Sequence, residues 1–179
     1  PGTYTVTYTT AGSCPNSSGV GVTINALDDA SFNYGAAAYC VDASYPTPTI
    51  FGLGGGTFSS TGGLSINAGT GAIDVSASTP GTYTVTYTTA GSCPNSSGVG
   101  VTINAAPTVT FTAPTDLCLD AGNQTGLGGG SPTGGLYSGP GVTDTGDGVN
   151  YAFDPATAGA GTHTITYNFT DGNGCSGSA

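Results

Sequence analysis

The sequence predicts an all-β fold in which β-sandwich modules follow one another along the chain. Residues 80–105 repeat residues 1–26 letter for letter, which indicates a tandem array. Several runs alternate apolar and polar residues with the period of two that is typical of half-buried strands. No stretch shows the 3.6-residue period of an amphipathic helix, and 33 glycines and 11 prolines supply turns throughout.

The repeat divides the chain into three parts. The two copies are shifted by 79 residues, and the first copy corresponds to the end of a unit. We therefore expect the C-terminal strands of a truncated preceding module at 1–26, a complete module at 27–105 and a diverged module at 106–179. Each full module has room for roughly six or seven short strands, as in a β-sandwich.

The clearest strand signal lies at 82–88, where tyrosine and valine alternate with threonine. β-Branched and aromatic residues favour a pleated surface, and the alternation places the apolar ones on one face. The pattern recurs at 3–9 and at 162–167, and shorter strands are expected at 39–41 and 49–51. The residues predicted to be buried in the complete module are Tyr83, Val85, Tyr87, Val99, Val101 and Ile103.

Turns and junctions complete the prediction. Segments 64–67 and 72–75 flank the turn 68–71 and should form a hairpin, whereas no helix longer than a single turn is expected. The module junctions near residues 26 and 105 are short and contain no Gly/Ser tract. Since so short a junction leaves the chain little room to reverse, we expect an end-to-end rod of modules.

The charge composition restricts the possible partners. The chain has no Lys or Arg, its formal net charge is −10, and only 6% of its residues are charged. Without cations there is no counterion release from phosphates, so nucleic acid is not an expected partner. Attraction to an anionic bilayer is equally absent, and no long apolar run would insert into a membrane.

The cysteines predict disulfide bonds. The complete module has an early and a late cysteine, Cys40 and Cys93, and the diverged module has Cys118 and Cys175 at a similar separation. We predict the pairs Cys40–Cys93 and Cys118–Cys175, with the partner of Cys14 outside this chain. Each such loop would contribute about 4 kcal/mol in the chain-entropy model. Disulfides predict an extracellular or cell-surface location, whereas zinc is not expected because there is one histidine and no C-x-x-C.

Aspartates are the only candidate metal ligands. Asp144 and Asp147 are the first choice for calcium, since carboxylate oxygens suit this ion. The pairs Asp28–Asp29 and Asp171–Asn173 are weaker candidates, and none of these segments matches an EF-hand loop. The alternative is that Asp-Gly and Asn-Gly sequences simply form turns. No other cofactor is expected.

No group of residues predicts catalysis. His163 is the single histidine and aligns with Tyr83 in the repeat. The chain contains no G-x-S-x-G nucleophile elbow with which this histidine could form a catalytic triad. The glycine runs 54–56 and 128–130 are followed by no lysine, so they indicate turns or bulges and not phosphate loops. Paired carboxylates for glycoside hydrolysis are chemically conceivable, but there is no tryptophan for sugar stacking. We expect a protein that is not an enzyme.

Two long phrases carry a family resemblance. GTFSSTGGLSINAGTGAIDVSASTPGTYTVTYT resembles the Ig-like repeats of giant surface adhesins from gliding Bacteroidetes, which are exported by the type IX secretion system. SPTGGLYSGPGV and YAFDPATAGAGTHTITYNFTDGNGC resemble cysteine-bearing repeats of the same proteins, and the ending is similar to PKD-type modules. The resemblance implies Ig-like modules without catalytic residues.

Repetition and resemblance together predict a structural repeat region of a secreted bacterial surface adhesin or filament that extends an adhesive surface from the cell, with gliding motility as one expected role. Its expected partners are neighbouring repeats of the same chain, other copies in a filament, or surface polysaccharide. Side-by-side association would use flat threonine faces that lack the charges that normally block edge pairing. The alternative function is an accessory carbohydrate-binding module of a secreted enzyme.

Overall fold

The computed structural model describes residues 1–179. The chain divides into two compact units. The first comprises Pro1–Ala37 and Ser44–Thr102, and the second comprises Ala38–Ala43 and Ile103–Ala179. The six-residue segment Ala38–Ala43 therefore belongs to the second unit, although the residues on both sides of it in the sequence belong to the first.

Eighteen strands and one helical turn make up the regular structure. The strands up to residue 104 are β1 (Gly2–Thr9), β2 (Ser17–Ile24), β3 (Phe32–Asn33), β4 (Ala38–Cys40), β5 (Thr49–Ile50), β6 (Thr57–Ser60), β7 (Ser65–Ile66), β8 (Ile73–Asp74), β9 (Gly81–Thr88) and β10 (Ser96–Asn104). The later elements are β11 (Thr110–Phe111), β12 (Gln124–Leu127), β13 (Gly130–Ser131), β14 (Leu136–Ser138), β15 (Val142–Asp144), β16 (Tyr151–Phe153), α1 (Pro155–Ala158), β17 (Thr166–Thr170) and β18 (Ser176–Ser178). The all-β prediction is confirmed, and α1 is a single turn, too short to cross a membrane.

The largest sheet has the strand order β4-β10-β9-β6, and β3-β5 and β7-β8 form separate two-stranded sheets. β6 pairs antiparallel with β9, which places Phe58 opposite Tyr87. The two rings lie 4.6 Å apart between centroids, and Phe32 from β3 packs edge-on against Phe58 at 5.4 Å. Aromatic side chains therefore form the centre of the first unit's core, where Tyr87 and Val85 are fully buried.

The second unit is a sandwich of two three-stranded sheets, β12-β16-β15 and β14-β17-β18, with β11-β13 as a further pair. Its core consists of Tyr137 and Tyr167 from one sheet and Tyr151 and Phe153 from the other. The ring of Tyr137 lies 4.5 Å from that of Tyr151 and 4.6 Å from that of Tyr167. These contacts join the inner faces of the two sheets, as the predicted β-sandwich requires.

The hairpin β1–β2 has the same sequence as β9–β10 but a different environment. Its strands pair antiparallel from Gly2 opposite Ile24 to Thr9 opposite Ser17. Every residue of both strands is exposed. Tyr8 is 72% exposed, whereas Tyr87, its equivalent in β9, is completely buried.

Two details of the strand prediction need correction. Five of the six residues expected to be buried are so, but Val99 is only half-buried because it lies on β10 nearer the hairpin loop than Val101. The strand expected at 162–167 begins and ends later than predicted, since β17 spans Thr166–Thr170. The hairpin around the turn 68–71 is confirmed as β7–β8, with Ile66 opposite Ile73.

Candidate functional site

The one disulfide of the structure joins Cys40 to Cys175. Their Cα atoms are 5.5 Å apart and the residues are separated by 135 positions in the sequence. Cys175 is buried, and its backbone N–H donates to a carboxylate oxygen of Asp171 at 2.9 Å. Beside Cys40, the Val41 N–H donates to the carbonyl of Asn104 at 3.1 Å. The bond thus fastens Ala38–Ala43 into the second unit.

The predicted pairs Cys40–Cys93 and Cys118–Cys175 are wrong. They assumed that each disulfide stays within one sequence repeat. Because Ala38–Ala43 folds as part of the second unit, Cys40 meets the late cysteine of the repeat that follows its own. A cysteine can form only one disulfide, so the bond Cys40–Cys175 excludes both predicted pairs.

Three cysteines carry free thiols: Cys14, Cys93 and Cys118. Cys14 and Cys118 are exposed and Cys93 is half-buried. The carbonyl of Cys93 accepts a hydrogen bond from the Asp28 N–H at 2.9 Å, which orders the loop between β9 and β10. This loop is closed by the Thr89 N–H, which donates to the Asn95 carbonyl at 2.9 Å.

Asp144 is the last residue of β15 and Asp147 lies in the loop that follows it, and both carboxylates accept hydrogen bonds from backbone amides. Asp144 accepts hydrogen bonds from the N–H groups of Tyr137 at 2.6 Å and Gly146 at 2.7 Å. Asp147 accepts from the N–H groups of Val149 at 2.8 Å and Asn150 at 2.7 Å, and from the Asn150 side chain at 2.8 Å. The bonds from Asn150, followed by that from Val149, hold the pKa of Asp147 well below its ordinary value. The bonds of Asp147, and that of Asp144 with Gly146, are those of turn formation, the alternative stated above, whereas the bond from Tyr137 to Asp144 joins β14 to β15.

Other aspartates have similar roles. Asp154 caps α1 by accepting from the Ala156 N–H at 3.0 Å, and its bond with the Thr157 hydroxyl lowers its pKa. A side-chain hydrogen bond with Ser31 lowers the pKa of Asp29. Asp171 caps the loop that leads to Cys175. No group of three or more His, Cys, Asp or Glu side chains is placed so that it could hold a metal ion. Calcium at Asp144 and Asp147 stays a prediction.

The side chain of His163 bonds to the backbone in the same way as the side chain of Tyr83 in the first unit. The His163 Nε2 lies 2.9 Å from the carbonyl oxygen of Gly159, four residues earlier. Tyr83, with which it aligns, donates its hydroxyl to the carbonyl of Thr79, also four residues earlier. Tyr83 in β9 and His163, which precedes β17, thus each bond to a carbonyl four residues earlier in the chain. The hydrogen-bond partner of the His163 ring is a backbone carbonyl and not a nucleophile or a carboxylate.

The second unit has a cavity of about 600 Å³. Its walls are mainly apolar, with Asp116 and His163 as the titratable groups. The main apolar residues around it are Phe111, Leu117, Leu119, Phe153, Pro155 and Ile165. A single carboxylate cannot supply the acid and base pair of a glycosidase, so the cavity is a candidate binding site and not a candidate hydrolytic centre.

The core of the second unit contains one buried polar atom with no partner, the hydroxyl oxygen of Tyr151. Burial, and secondly the neighbouring Tyr137, raises the pKa of this phenol. By contrast, the Tyr167 hydroxyl donates to the Pro132 carbonyl and accepts from the Gly135 N–H at 2.8 Å. The two buried tyrosines thus differ in hydrogen bonding although both are fully buried.

No model of a known protein family matches this chain. No curated protein sequence matches it either. Among solved structures, the crystal structure of mouse cadherin-23 EC22-24 aligns with 98% of this chain and 71% of its own, at 16% sequence identity and a TM-score of 0.33. A TM-score this low does not establish a common fold, and the function of this chain is argued below from its own residues.

Sequence reasoning missed the Cys40–Cys175 pairing, although the sequence shows that Cys40 and Cys118 lie in equivalent segments. Tyr-Cys-Val-Asp-Ala at 39–43 corresponds to Leu-Cys-Leu-Asp-Ala at 117–121. The correspondence shows that an apolar-Cys-apolar-Asp-Ala segment is a repeated element. It does not show which unit the segment joins, because that depends on contacts with residues that are distant in the sequence.

Proposed function

We propose that this chain is a non-catalytic repeat region that acts as a spacer in an extracellular surface adhesin or filament. The observation that carries the proposal is the letter-for-letter repetition of residues 1–26 at 80–105. A dedicated site needs one set of residues in one place, whereas identical copies suit a polymer of similar modules. The arrangement that we propose is three modules in series, at 1–26, 27–105 and 106–179.

The chemistry of the side chains supports this proposal. The aspartates described above accept hydrogen bonds in turns, and the single histidine bonds to a backbone carbonyl. The disulfide supports an oxidising, extracytoplasmic location, since such bonds persist there. The resemblance to adhesin repeats of gliding Bacteroidetes supports an Ig-like spacer, and a role in gliding motility with export by type IX secretion is the finer form of the proposal.

Small-angle scattering of the full chain tests the serial arrangement. A compact globule of 179 residues has a radius of gyration of roughly 16 Å. We expect a value roughly one and a half times as large. A radius near that of the compact globule at low concentration would refute the spacer, since modules that fold back on one another extend nothing.

A second candidate function is carbohydrate binding, and the cavity of about 600 Å³ in the second unit favours it. The cavity is within the size range of small-molecule sites and combines apolar walls with two titratable groups. A glycan array probed with the full chain distinguishes the candidates. Saturable binding to one class of glycan would favour the binding module, whereas no binding would favour the spacer.

A further inference from the structure

Asn173 and Gly174 form the only Asn-Gly sequence of the chain. Asparagine side chains are chemically labile, and a following glycine favours their reaction because it carries no side chain beside its backbone nitrogen. Both residues are exposed in the loop that joins β17 to β18, and a side chain at Gly174 would meet open space. Neighbouring groups therefore do not shield this pair, and only the conformation of the loop can delay its reaction.

The reaction of such a pair is deamidation through a cyclic imide. The Gly174 nitrogen loses its proton and forms a bond to the Asn173 Cγ, and the side-chain nitrogen leaves as ammonia. Water then opens the ring at one of its carbonyls, which produces aspartate or isoaspartate at position 173. One water is consumed and one ammonia is released, so the reaction requires no oxidant and no enzyme.

The loop holds this pair in a conformation that opposes the attack. The Gly174 N–H, which must be freed, donates to the Asp171 carbonyl at 3.1 Å. The Asn173 Nδ2 lies 3.5 Å from the Asp171 Oδ2, and the Asn173 N–H donates to the Asp171 Oδ1 at 2.9 Å. Asp171 thus holds both the attacking nitrogen and the group that is attacked. At least one of these hydrogen bonds must break before the ring can form.

The Cys40–Cys175 bond anchors the same loop. The Asp171 N–H donates to the Cys175 carbonyl, and the Cys175 N–H donates to the Asp171 Oδ1, both at 2.9 Å. Cys175 is 1% exposed, and its sulfur is bonded to Cys40. The residue after Gly174 is therefore fixed through its backbone and its side chain, which leaves Gly174 little freedom to turn towards Asn173. Reduction removes the covalent part of this anchor.

We propose that Asn173 is a site of spontaneous deamidation that the Cys40–Cys175 bond keeps closed, so that reduction of the bond starts an irreversible change in the loop. The product carries a carboxylate where the Asn173 amide faced Asp171, and two like charges disfavour that contact. Isoaspartate also adds a methylene group to the backbone of the loop. Reoxidation of the cysteines does not restore asparagine, so a converted loop records an earlier reduction. The proposal does not depend on the spacer function.

The experiment incubates the full chain at neutral pH in three states: oxidised, reduced with a phosphine, and reduced in concentrated urea. Every sample is then alkylated and digested with chymotrypsin, and cleavage after Phe169 releases residues 170–179 for mass spectrometry. The chain in urea supplies the rate without a folded loop. We expect the oxidised chain to convert roughly tenfold more slowly than the chain in urea, since at least one hydrogen bond must break first. The reduced chain should approach the rate in urea.

Three variants separate the hydrogen bonds from the disulfide. Asp171→Ala with the disulfide intact should raise the rate of the oxidised chain. Asp147→Ala is the matched control and should leave the rate unchanged, since Asp147 also precedes a glycine and accepts from two backbone amides in the same unit. Asn173→Gln should remove the fast conversion in every state.

The possible outcomes distinguish the steps of the proposal. Equal rates in the oxidised and reduced chains would overturn the role of the disulfide, and equal rates in the oxidised chain and in urea would overturn the protection by the loop. The absence of conversion in urea would overturn the site itself. An equal rise of the rate in Asp171→Ala and Asp147→Ala would overturn the role of Asp171, since a general loss of stability would then explain both.

Discussion

Residues 1–26 and 80–105 have the same sequence, and each forms two long neighbouring strands. In both, the threonine side chains face each other across the hairpin, Thr3 to Thr23 and Thr82 to Thr102, with hydroxyl oxygens 3.1 Å apart. Yet every residue of β1 and β2 is exposed, whereas the apolar residues of β9 are buried. The pairing of these strands is thus a local property of the sequence, and the burial of their apolar face is not.

The difference comes from residues 27–79, which cover only the second copy. Phe58 stacks on Tyr87 at 4.6 Å and Phe32 packs on the same ring at 5.9 Å. The Tyr87 hydroxyl donates to the Leu53 carbonyl at 2.7 Å and accepts from the Gly56 N–H at 2.9 Å. The chemically identical Tyr8 has no aromatic ring packed against it and is 72% exposed. A repeat therefore acquires its core from a sequence about twice as long as the hairpin itself.

The largest effect is expected from replacing the buried copy of this tyrosine. Tyr87→Ala removes the ring at the centre of the first unit's core and should cost about 3–5 kcal/mol in the free energy of unfolding. Tyr8→Ala is the matched control, with the same neighbours in sequence and an expected change within about 0.5 kcal/mol. Urea unfolding of the full chain measures both. Equal losses from the two substitutions would mean that the β1–β2 face is covered in solution.

A smaller effect is expected in the second unit, where Tyr151 and Tyr167 are both fully buried but only the Tyr167 hydroxyl has hydrogen-bond partners. Tyr151→Phe removes a buried hydroxyl that has no hydrogen bond and should raise stability by about 1 kcal/mol. Tyr167→Phe leaves Pro132 and Gly135 without their partner and should lower stability by about 1–3 kcal/mol. Thermal melts of both variants provide the measurement. A loss of stability in Tyr151→Phe would show that its hydroxyl has a partner.

The smallest effect concerns pH and extends the comparison to acidic side chains. The folded protein depresses the pKa of Asp147 below its ordinary value of 3.8. Its contribution to stability is therefore complete above that ordinary value and is lost as the pH falls through the lower pKa of the folded state. Asp147→Asn should be less stable than the wild type at neutral pH and should lose less stability on acidification. Melting temperatures between neutral and strongly acidic pH measure the difference.

Calcium provides the control for that experiment. An Asp147 that only caps a turn stabilises the protein equally with calcium and with a chelator. A rise in melting temperature on addition of calcium that disappears in Asp147→Asn would establish the predicted metal site instead. A melting temperature that calcium raises equally in both proteins would place any calcium elsewhere.

Much of the fold follows from the sequence because its signals are local. The alternation of Tyr83, Val85 and Tyr87 with threonine predicts both the strand and its buried face. The glycine-rich turn at 68–71 predicts the β7–β8 hairpin. Val99 shows the limit of this reasoning, since the alternation predicts a face but not how far the core extends along it.

The candidate sites were less predictable because they depend on distant residues. The Cys40–Cys175 bond arises from the assignment of Ala38–Ala43 to the second unit, and no local pattern encodes that assignment. The role of Asp147 depends on which loop amides point at its carboxylate. An Asp-Gly sequence is compatible with a turn and with a metal ligand, so composition alone left both open.

The position of the disulfide determines how the chain would respond to a pulling force applied at its two ends. Load would pass from residue 1 to Cys40, cross the sulfur–sulfur bond to Cys175 and continue to residue 179. Cys40 and Cys175 are separated by 135 positions, so the 134 residues between them lie outside this path. Fully extended, such a stretch would span roughly 470 Å, and this length stays hidden while the bond is intact. The oxidised chain would therefore resist lengthening even if its units unfolded, and reduction of this one bond would make the chain extensible.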